Sequence, residues 1–208
     1  MGKIGIGVTT YNRPECLAKF KEQLFKHTFM DNVTLYVAED TDEDRQGVAK
    51  RKNECLRALK DCDHIFLFDD DCYPIKDGWV EFFINNPNHW LFLDDKLHRY
   101  FGGGIYQECG GVFMYMTKKM VETIGAFDEK FIGWGLEHAN YSQRIYKAGF
   151  NLSPYMCKVG TENYLYSEDY SNPNHKSSIS NEEKQKYFNE NFPKFKEGIK
   201  NIFISLEQ

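Results

Sequence analysis

HIFLFDDDCYP, residues 64–74, is the stretch from which the fold can be read. Ile65, Phe66, Leu67 and Phe68 make an unbroken apolar run, the pattern of a central strand covered on both faces. The run leads straight into Asp69, Asp70 and Asp71, and Pro74 keeps the strand from continuing. Three successive carboxylates at a strand end repel one another. A divalent cation that prefers hard oxygen ligands, Mg²⁺ or Mn²⁺, is their simplest counter-charge. In an open α/β sheet, the crevice beyond the carboxyl ends of the strands is also where ligands bind. The competing reading is a solvated acidic turn.

Two strand–helix units precede this stretch. Lys3–Val8 reads as a strand whose glycines allow close packing, and Thr9 to Arg13 form a loop. Pro14 then suits the first turn of a helix that shows Leu17, Phe20, Leu24 and Phe25 on one face up to His27. Val33–Ala38 is a second strand, ending in the acidic cluster Glu39, Asp40, Asp42, Glu43 and Asp44. Gly47 to Leu59 returns to helix. Strand, helix, strand, helix, strand implies a parallel half-sheet with right-handed crossovers, a Rossmann-like nucleotide-binding arrangement. Neither G-x-x-x-x-G-K-[ST] nor G-x-G-x-x-G occurs, which disfavours classical ATPase and dinucleotide chemistry.

The chain beyond residue 74 is patterned differently. A short helix over 77–86, a strand over 89–93 and a glycine-rich loop over 94–111 lead to a strand over Val112–Met116. Thr117 caps the short helix KKMVETI, and a further helix runs from Glu137 to Ala148 and closes at Gly149. Residues 151–180 are polar and read as a mobile loop. Ser180 with Glu183 forms a capping box for a last helix, which Pro193 kinks or splits. Phe188, Phe192, Phe195, Ile199 and Phe203 are expected to dock that helix on the core. With 208 residues, a single α/β domain with a mixed central sheet is the economical expectation. It divides into a nucleotide-binding half over 1–74, an acceptor-binding half over 75–150, and a loop and C-terminal helix over 151–208.

Composition narrows the function classes. A net charge of -5 argues against a constitutive nucleic-acid binder. The 17 Phe and 13 Tyr are enough for aromatic-lined clefts as well as a core. No stretch has the length of a membrane span and no signal-peptide pattern opens the chain, so a cytoplasmic location is expected. The six cysteines are scattered without a C-x-x-C pair, which suits reduced thiols and disfavours a zinc site.

Several separated segments together carry a family resemblance. They are Thr10-Tyr11-Asn12-Arg13-Pro14, the strand-ending Asp40, Gly47-Val48-Ala49-Lys50-Arg51-Lys52-Asn53, Asp69-Asp70-Asp71, and the block Gly125 to Glu137 with Phe127, Asp128, Phe131, Gly133, Trp134 and Gly135. In this order and spacing, from about Ile4 to Phe150, the chain resembles metal-dependent glycosyltransferases of the A-type fold. Family 2-like enzymes and their β-1,4-galactosyltransferase relatives are the nearest pattern. The resemblance implies transfer of a hexosyl or pentosyl group from a nucleoside diphosphate donor, a UDP-sugar, with Mn²⁺ or Mg²⁺.

It also implies roles for particular residues. Asp71 holds the metal, with Asp69 supporting it or contacting the ribose and His175 closing over it from a C-terminal loop. Asp40 reads the base, while Thr10, Tyr11, Arg13, Arg51, Lys52 and Asp70 belong to the donor side. Trp134 is an aromatic platform where donor and acceptor meet. The relatives place an Asp base directly after the Glu of W-G-x-E. Here that position is His138, a competent base in its neutral form. His138 is thus expected to take the acceptor proton, with Glu137 binding hydroxyls or acting as the base itself, and direct displacement then inverts the anomeric centre. The acceptor is a glycan, a protein or a hydroxylated nucleic-acid base; for the last, Lys96, Arg99, Lys118 and Lys119 are the candidate basic face. Two rivals are a nucleotidyltransferase on a related fold and a non-catalytic nucleotide-sugar binding module.

Overall fold

The computed structural model describes residues 2–207. Its main sheet has five strands: β1 (Ile4–Tyr11), β2 (Val33–Asp40), β3 (His64–Asp69), β8 (Phe113–Thr117) and β5 (Trp90–Leu91). They lie in the order β2-β1-β3-β8-β5. The first three are parallel, β8 runs antiparallel to β3, and β5 runs antiparallel to β8, so the sheet is mixed. The apolar run of residues 65–68 is buried between β1 and β8, as a central strand must be.

The strand alternation decides what each face receives. Gly5 and Gly7 point toward helix α2 (Val48–Ala58); a Cβ at Gly7 would lie 2.7 Å from that of Cys55. Those glycines therefore let α2 rest directly on β1. On the opposite face Phe66 and Phe68, two residues apart, enter an aromatic cluster with Trp79, Phe83, Phe113 and Tyr115. Phe20 of α1 (Pro14–His27) joins it at 5.3 Å from Phe68. Much of the aromatic content is thus core. The buried residues form one continuous cluster that includes both faces of the sheet.

Residues 151–180 are more ordered in pattern than a loop. They contain a 3₁₀ turn (Thr161–Asn163), strand β9 (Leu165–Ser167) and the one-turn helix α6 (Glu168–Ser171). β9 pairs antiparallel with β4 (Cys72–Pro74), Cys72 opposite Ser167, as a separate ribbon. The local composition gives no hint of this pairing, because the partner lies ninety-odd residues earlier in sequence.

The last helix, α7 (Asn181–Lys196), begins with the expected capping box of Ser180 and Glu183 and runs through Pro193 to its end without splitting. Of the expected row of aromatics Phe195 packs against the core, but the others do not carry the anchor. Phe203 and Phe188 are 57% and 40% exposed, and Phe188 stacks on Phe192 within the helix itself. Asn191 is the buried residue of α7. Its side-chain amide donates to the carbonyls of Ile132, Trp134 and Gly135, and its oxygen accepts from the Ile132 N–H. An irregular loop offers unpaired backbone groups, which an amide satisfies and a phenyl ring cannot.

Candidate active site

The three parallel strands end side by side, Tyr11 opposite Asp40 and Thr9 opposite Asp69. The cleft beyond them is lined by Thr10, Tyr11, Arg13, Asp40, Arg51, Asp69, Asp71 and Trp134, together with Asp169, Ser177 and Ser178. Most of the residues expected on the donor side therefore meet in one place.

Asp70 does not share it. Its side chain is fully buried and turned inward, accepting from Thr10 Oγ1 at 2.6 Å and pairing with Arg13. Burial pushes its carboxyl up to about 7; Arg13 and Thr10 are what keep it that low. On a strand-end run, neighbouring side chains alternate in direction, so three consecutive aspartates cannot all face one cleft.

The carboxylate of Asp71 faces the cleft with His175 Nε2 3.0 Å from its Oδ2. Asp169 Oδ1 lies 3.5 Å from the same nitrogen. Ligand atoms of Asp71, Asp169 and His175 all fall within 4.8 Å of one another. Partial burial and the adjacent Asp71 carboxylate raise the Asp169 carboxyl above its ordinary value. The second oxygen of Asp71, Oδ1, is buried without a hydrogen-bond partner.

Asp169, and not Asp69, completes this cluster; Asp69 accepts from Thr9 Oγ1 at 3.0 Å and lies 3.9 Å from Lys52 Nζ. Sequence reasoning missed Asp169. The β4–β9 ribbon delivers it: the Glu168 N–H donates to the Asp71 carbonyl at 2.9 Å, setting the next residue beside the aspartate run.

Asp40 closes β2 and caps α2. It accepts from the N–H groups of Gln46 and Gly47 at 2.6 and 2.9 Å and from Arg51 Nε at 3.2 Å. Arg51 also pairs with Asp44 and Glu54. Neither Arg51 nor Lys52 is on an exposed helix face; both are buried. Lys52, only 1% exposed, sits 3.3 Å from Glu137 Oε1 and 3.3 Å from the Gly111 carbonyl. It thus stands between Asp69 and Glu137, within reach of both.

Glu137 opens helix α5 (Glu137–Lys147) and follows Leu136, whose φ of 73° is left-handed, an uncommon state for a leucine. Burial alone would push the Glu137 carboxyl up. His138 and Lys52 outweigh it and hold the carboxyl well below the ordinary carboxylate range. His138 Nδ1 lies 3.0 Å from Glu137 Oε1, and Nε2 lies 3.3 Å from the Cys109 carbonyl. Gly111 makes room for this ring: a Cβ there would fall 2.8 Å from His138 Nδ1.

Trp134 is 41% exposed, with Lys184 Nζ 5.5 Å from its ring centre. Of the expected basic face, Lys118 and Lys119 lie elsewhere. Thr117 pairs with His64, at the start of β3, so Lys118 and Lys119 stand at the end of the sheet away from Asp69. Antiparallel β8 carries the chain away from the cleft, which no local pattern reveals.

Comparison with known proteins agrees with this geometry. Residues 96–168 match the family described as the N-terminal domain of galactosyltransferase. An uncharacterised glycosyltransferase of Acanthamoeba polyphaga mimivirus is 26% identical over 212 aligned positions, covering 78% of this chain and 80% of the relative. Among solved structures, a mutant Drosophila β-1,4-galactosyltransferase 7 in complex with manganese, UDP-Gal and xylobiose superposes with a TM-score of 0.62 at 18% identity. That match covers 100% of this chain and 84% of the other. A mannosyltransferase from Pyrobaculum calidifontis, in complex with GDP-Man and Mn²⁺, gives a TM-score of 0.61 at 11% identity, over 77% of this chain and 55% of that one. Among the described residues no helix is long and apolar enough to cross a membrane. A mixed sheet with its cleft at the parallel strand ends, a galactosyltransferase-type central segment and a glycosyltransferase relative converge on one architecture: the chain has the A-type glycosyltransferase fold.

Proposed function

We propose that this enzyme moves a sugar from a UDP-sugar to a glycan hydroxyl in a divalent-metal-dependent, inverting reaction. The observation that carries the reading is the unpartnered, buried Oδ1 of Asp71 inside the cluster with Asp169 and His175. An orphaned buried carboxylate oxygen is costly unless a cation or donor completes it. Two carboxylates and one imidazole form a donor set that Mn²⁺ accepts well. Asp71, Asp169 and His175 would hold the metal. Bound there, it offsets the negative charge that a departing nucleoside diphosphate carries.

The remaining roles rest on this chain's own groups. About three of the four acceptor sites on the Asp40 carboxylate are taken by Gln46, Gly47 and Arg51, leaving room for one N–H of a uracil beside Tyr11. Arg13 offers a planar fork to phosphate oxygens. Asp69, held from behind by Thr9, faces the ribose hydroxyls. Glu137 keeps its charge and holds a proton on His138 Nδ1, so Nε2 becomes the basic nitrogen once an acceptor hydroxyl replaces the Cys109 carbonyl that lies 3.3 Å from it. An acceptor hydroxyl in front of Nε2 gives up its proton there as it attacks, and a single displacement inverts the anomeric carbon. The exposed Trp134 ring supplies an apolar face for a sugar. A glycan acceptor fits that face. The xylobiose in the related galactosyltransferase complex also belongs to that class.

Thermal melting against UDP- and GDP-sugars, with Mn²⁺ or EDTA, tests the reading. A ligand that binds only the folded state raises the midpoint. The expected result is a Mn²⁺-dependent shift with a UDP-sugar that Asp71→Asn abolishes. Folded protein that responds to no nucleotide-sugar in Mn²⁺ would refute it.

A further inference from the structure

Arg13 ties the loop after β1 to the aspartate run. Its Nη2 pairs with Asp70, and its Nη1 donates to Asp71 Oδ2 at 2.7 Å and lies 3.4 Å from His175 Nε2. The side chain is 17% exposed, and Nε is buried without a partner. A positive charge therefore already stands among two of the three groups that would bind an ion. A divalent cation on those groups would meet this guanidinium at close range, where water screens little. The same guanidinium has the geometry to take phosphate oxygens in exchange for a carboxylate. The Arg13 fork is therefore both an obstacle to a bare ion and a receiver for a pyrophosphate.

We propose that Arg13 is a built-in counter-cation that occupies the Asp71 centre until a donor pyrophosphate draws it away, so that metal and nucleotide bind as a coupled pair. The proposal rests on the reading of Asp71, Asp169 and His175 as a metal centre. It goes further by assigning an order to the site: a free divalent ion is held off and the nucleotide admits it. Linkage makes the effect reciprocal, since whatever UDP adds to Mn²⁺ affinity, Mn²⁺ adds to UDP affinity. Asp70 is the device's fixed end, because its buried carboxylate keeps the guanidinium turned inward.

The test is Mn²⁺ binding by the full chain, read from the electron paramagnetic resonance signal of the free ion, with and without UDP. The wild type is expected to bind Mn²⁺ alone weakly, and roughly tenfold or more tighter with UDP present. Arg13→Gln should bind Mn²⁺ alone roughly tenfold or more tighter than the wild type and lose most of the gain from UDP. Because Arg13→Gln strands the buried Asp70 carboxylate, the double variant Arg13→Gln/Asp70→Asn removes both charges and should show the same rise. Mn²⁺ binding in the folded double variant that is no tighter than in the wild type overturns the proposal. Wild-type protein that binds no Mn²⁺ with or without UDP overturns the metal centre itself, and this proposal with it.

Discussion

Replacing Lys52 by Met removes one partner of a buried ion pair while keeping the length of the side chain. Lys52 Nζ lies 3.3 Å from Glu137 Oε1, with side chains 1% and 4% exposed. Removing one member of such a pair costs about 3–5 kcal/mol, because the other charge is left in a poorly solvating site. His138 remains on the Glu137 carboxylate at 3.0 Å, which places the loss near the lower end, about 3 kcal/mol. For a domain of this size that corresponds to roughly 6–12 °C in the melting midpoint. A typical domain stability of about 5–15 kcal/mol leaves the variant folded.

The pH dependence carries its own sign. Glu137 is held below its ordinary value, so its contribution to stability is present above the unfolded carboxyl range and is lost progressively as pH falls from that range through the depressed folded value. Without Lys52, burial acts with less opposition and Glu137 takes up a proton at higher pH. The stability gap between wild type and Lys52→Met should therefore be widest at neutral pH and narrow on acidification. Urea unfolding of Lys52→Met, Glu137→Gln and the double variant, at neutral pH and near about pH 4.5, measures both the loss and the coupling. A coupling energy near zero in that cycle, or a gap that widens in acid, would refute the account of Lys52 as the charge that keeps Glu137 ionised.

Two further outcomes follow from the site's other supports. Asn191→Ala leaves the carbonyls of Ile132, Trp134 and Gly135 and the Ile132 N–H without their partner, so a loss of about 2–4 kcal/mol with altered Trp134 fluorescence is expected. Denaturation with fluorescence detection checks it, and an unchanged midpoint would show that the loop is held by something else. His138→Ala should lower turnover by roughly 10²–10⁴ while UDP affinity, measured calorimetrically, stays within about twofold. Turnover equal to wild type would take the proton-accepting role away from His138.

The parallel strand–helix half over residues 1–74 was legible because its signals are local. An unbroken apolar run bounded by aspartates and a proline can hardly be anything but a central strand, and glycines at positions 5 and 7 mark where a helix lies close. The capping box at Ser180 and Glu183 needs only three residues to be recognised, and it is present as read. What faces the cleft within a short acidic run was not legible. Asp70 and Asp71 differ by one position and end in opposite surroundings, one packed against Thr10 and Arg13 inside, the other beside His175 at the cleft.

The sequence by itself determined the strand–helix alternation, the place of the acidic run at a strand end and the W-G-x-E block at the head of a helix. Each follows from periodicity, turn chemistry or motif spacing within a few residues. Tertiary structure alone decided the third group of the candidate metal centre, the burial of Lys52 against Glu137, the placing of Lys118 and Lys119 away from the cleft and the anchoring of α7 by Asn191. All four depend on which distant segments pair. The β4–β9 ribbon sets Asp169 beside Asp71, antiparallel β8 carries Lys118 away from the cleft, and α2 packed on β1 turns Lys52 toward α5. Such pairings are set by the burial and hydrogen bonding of the whole chain at once, and a local window of sequence does not contain them.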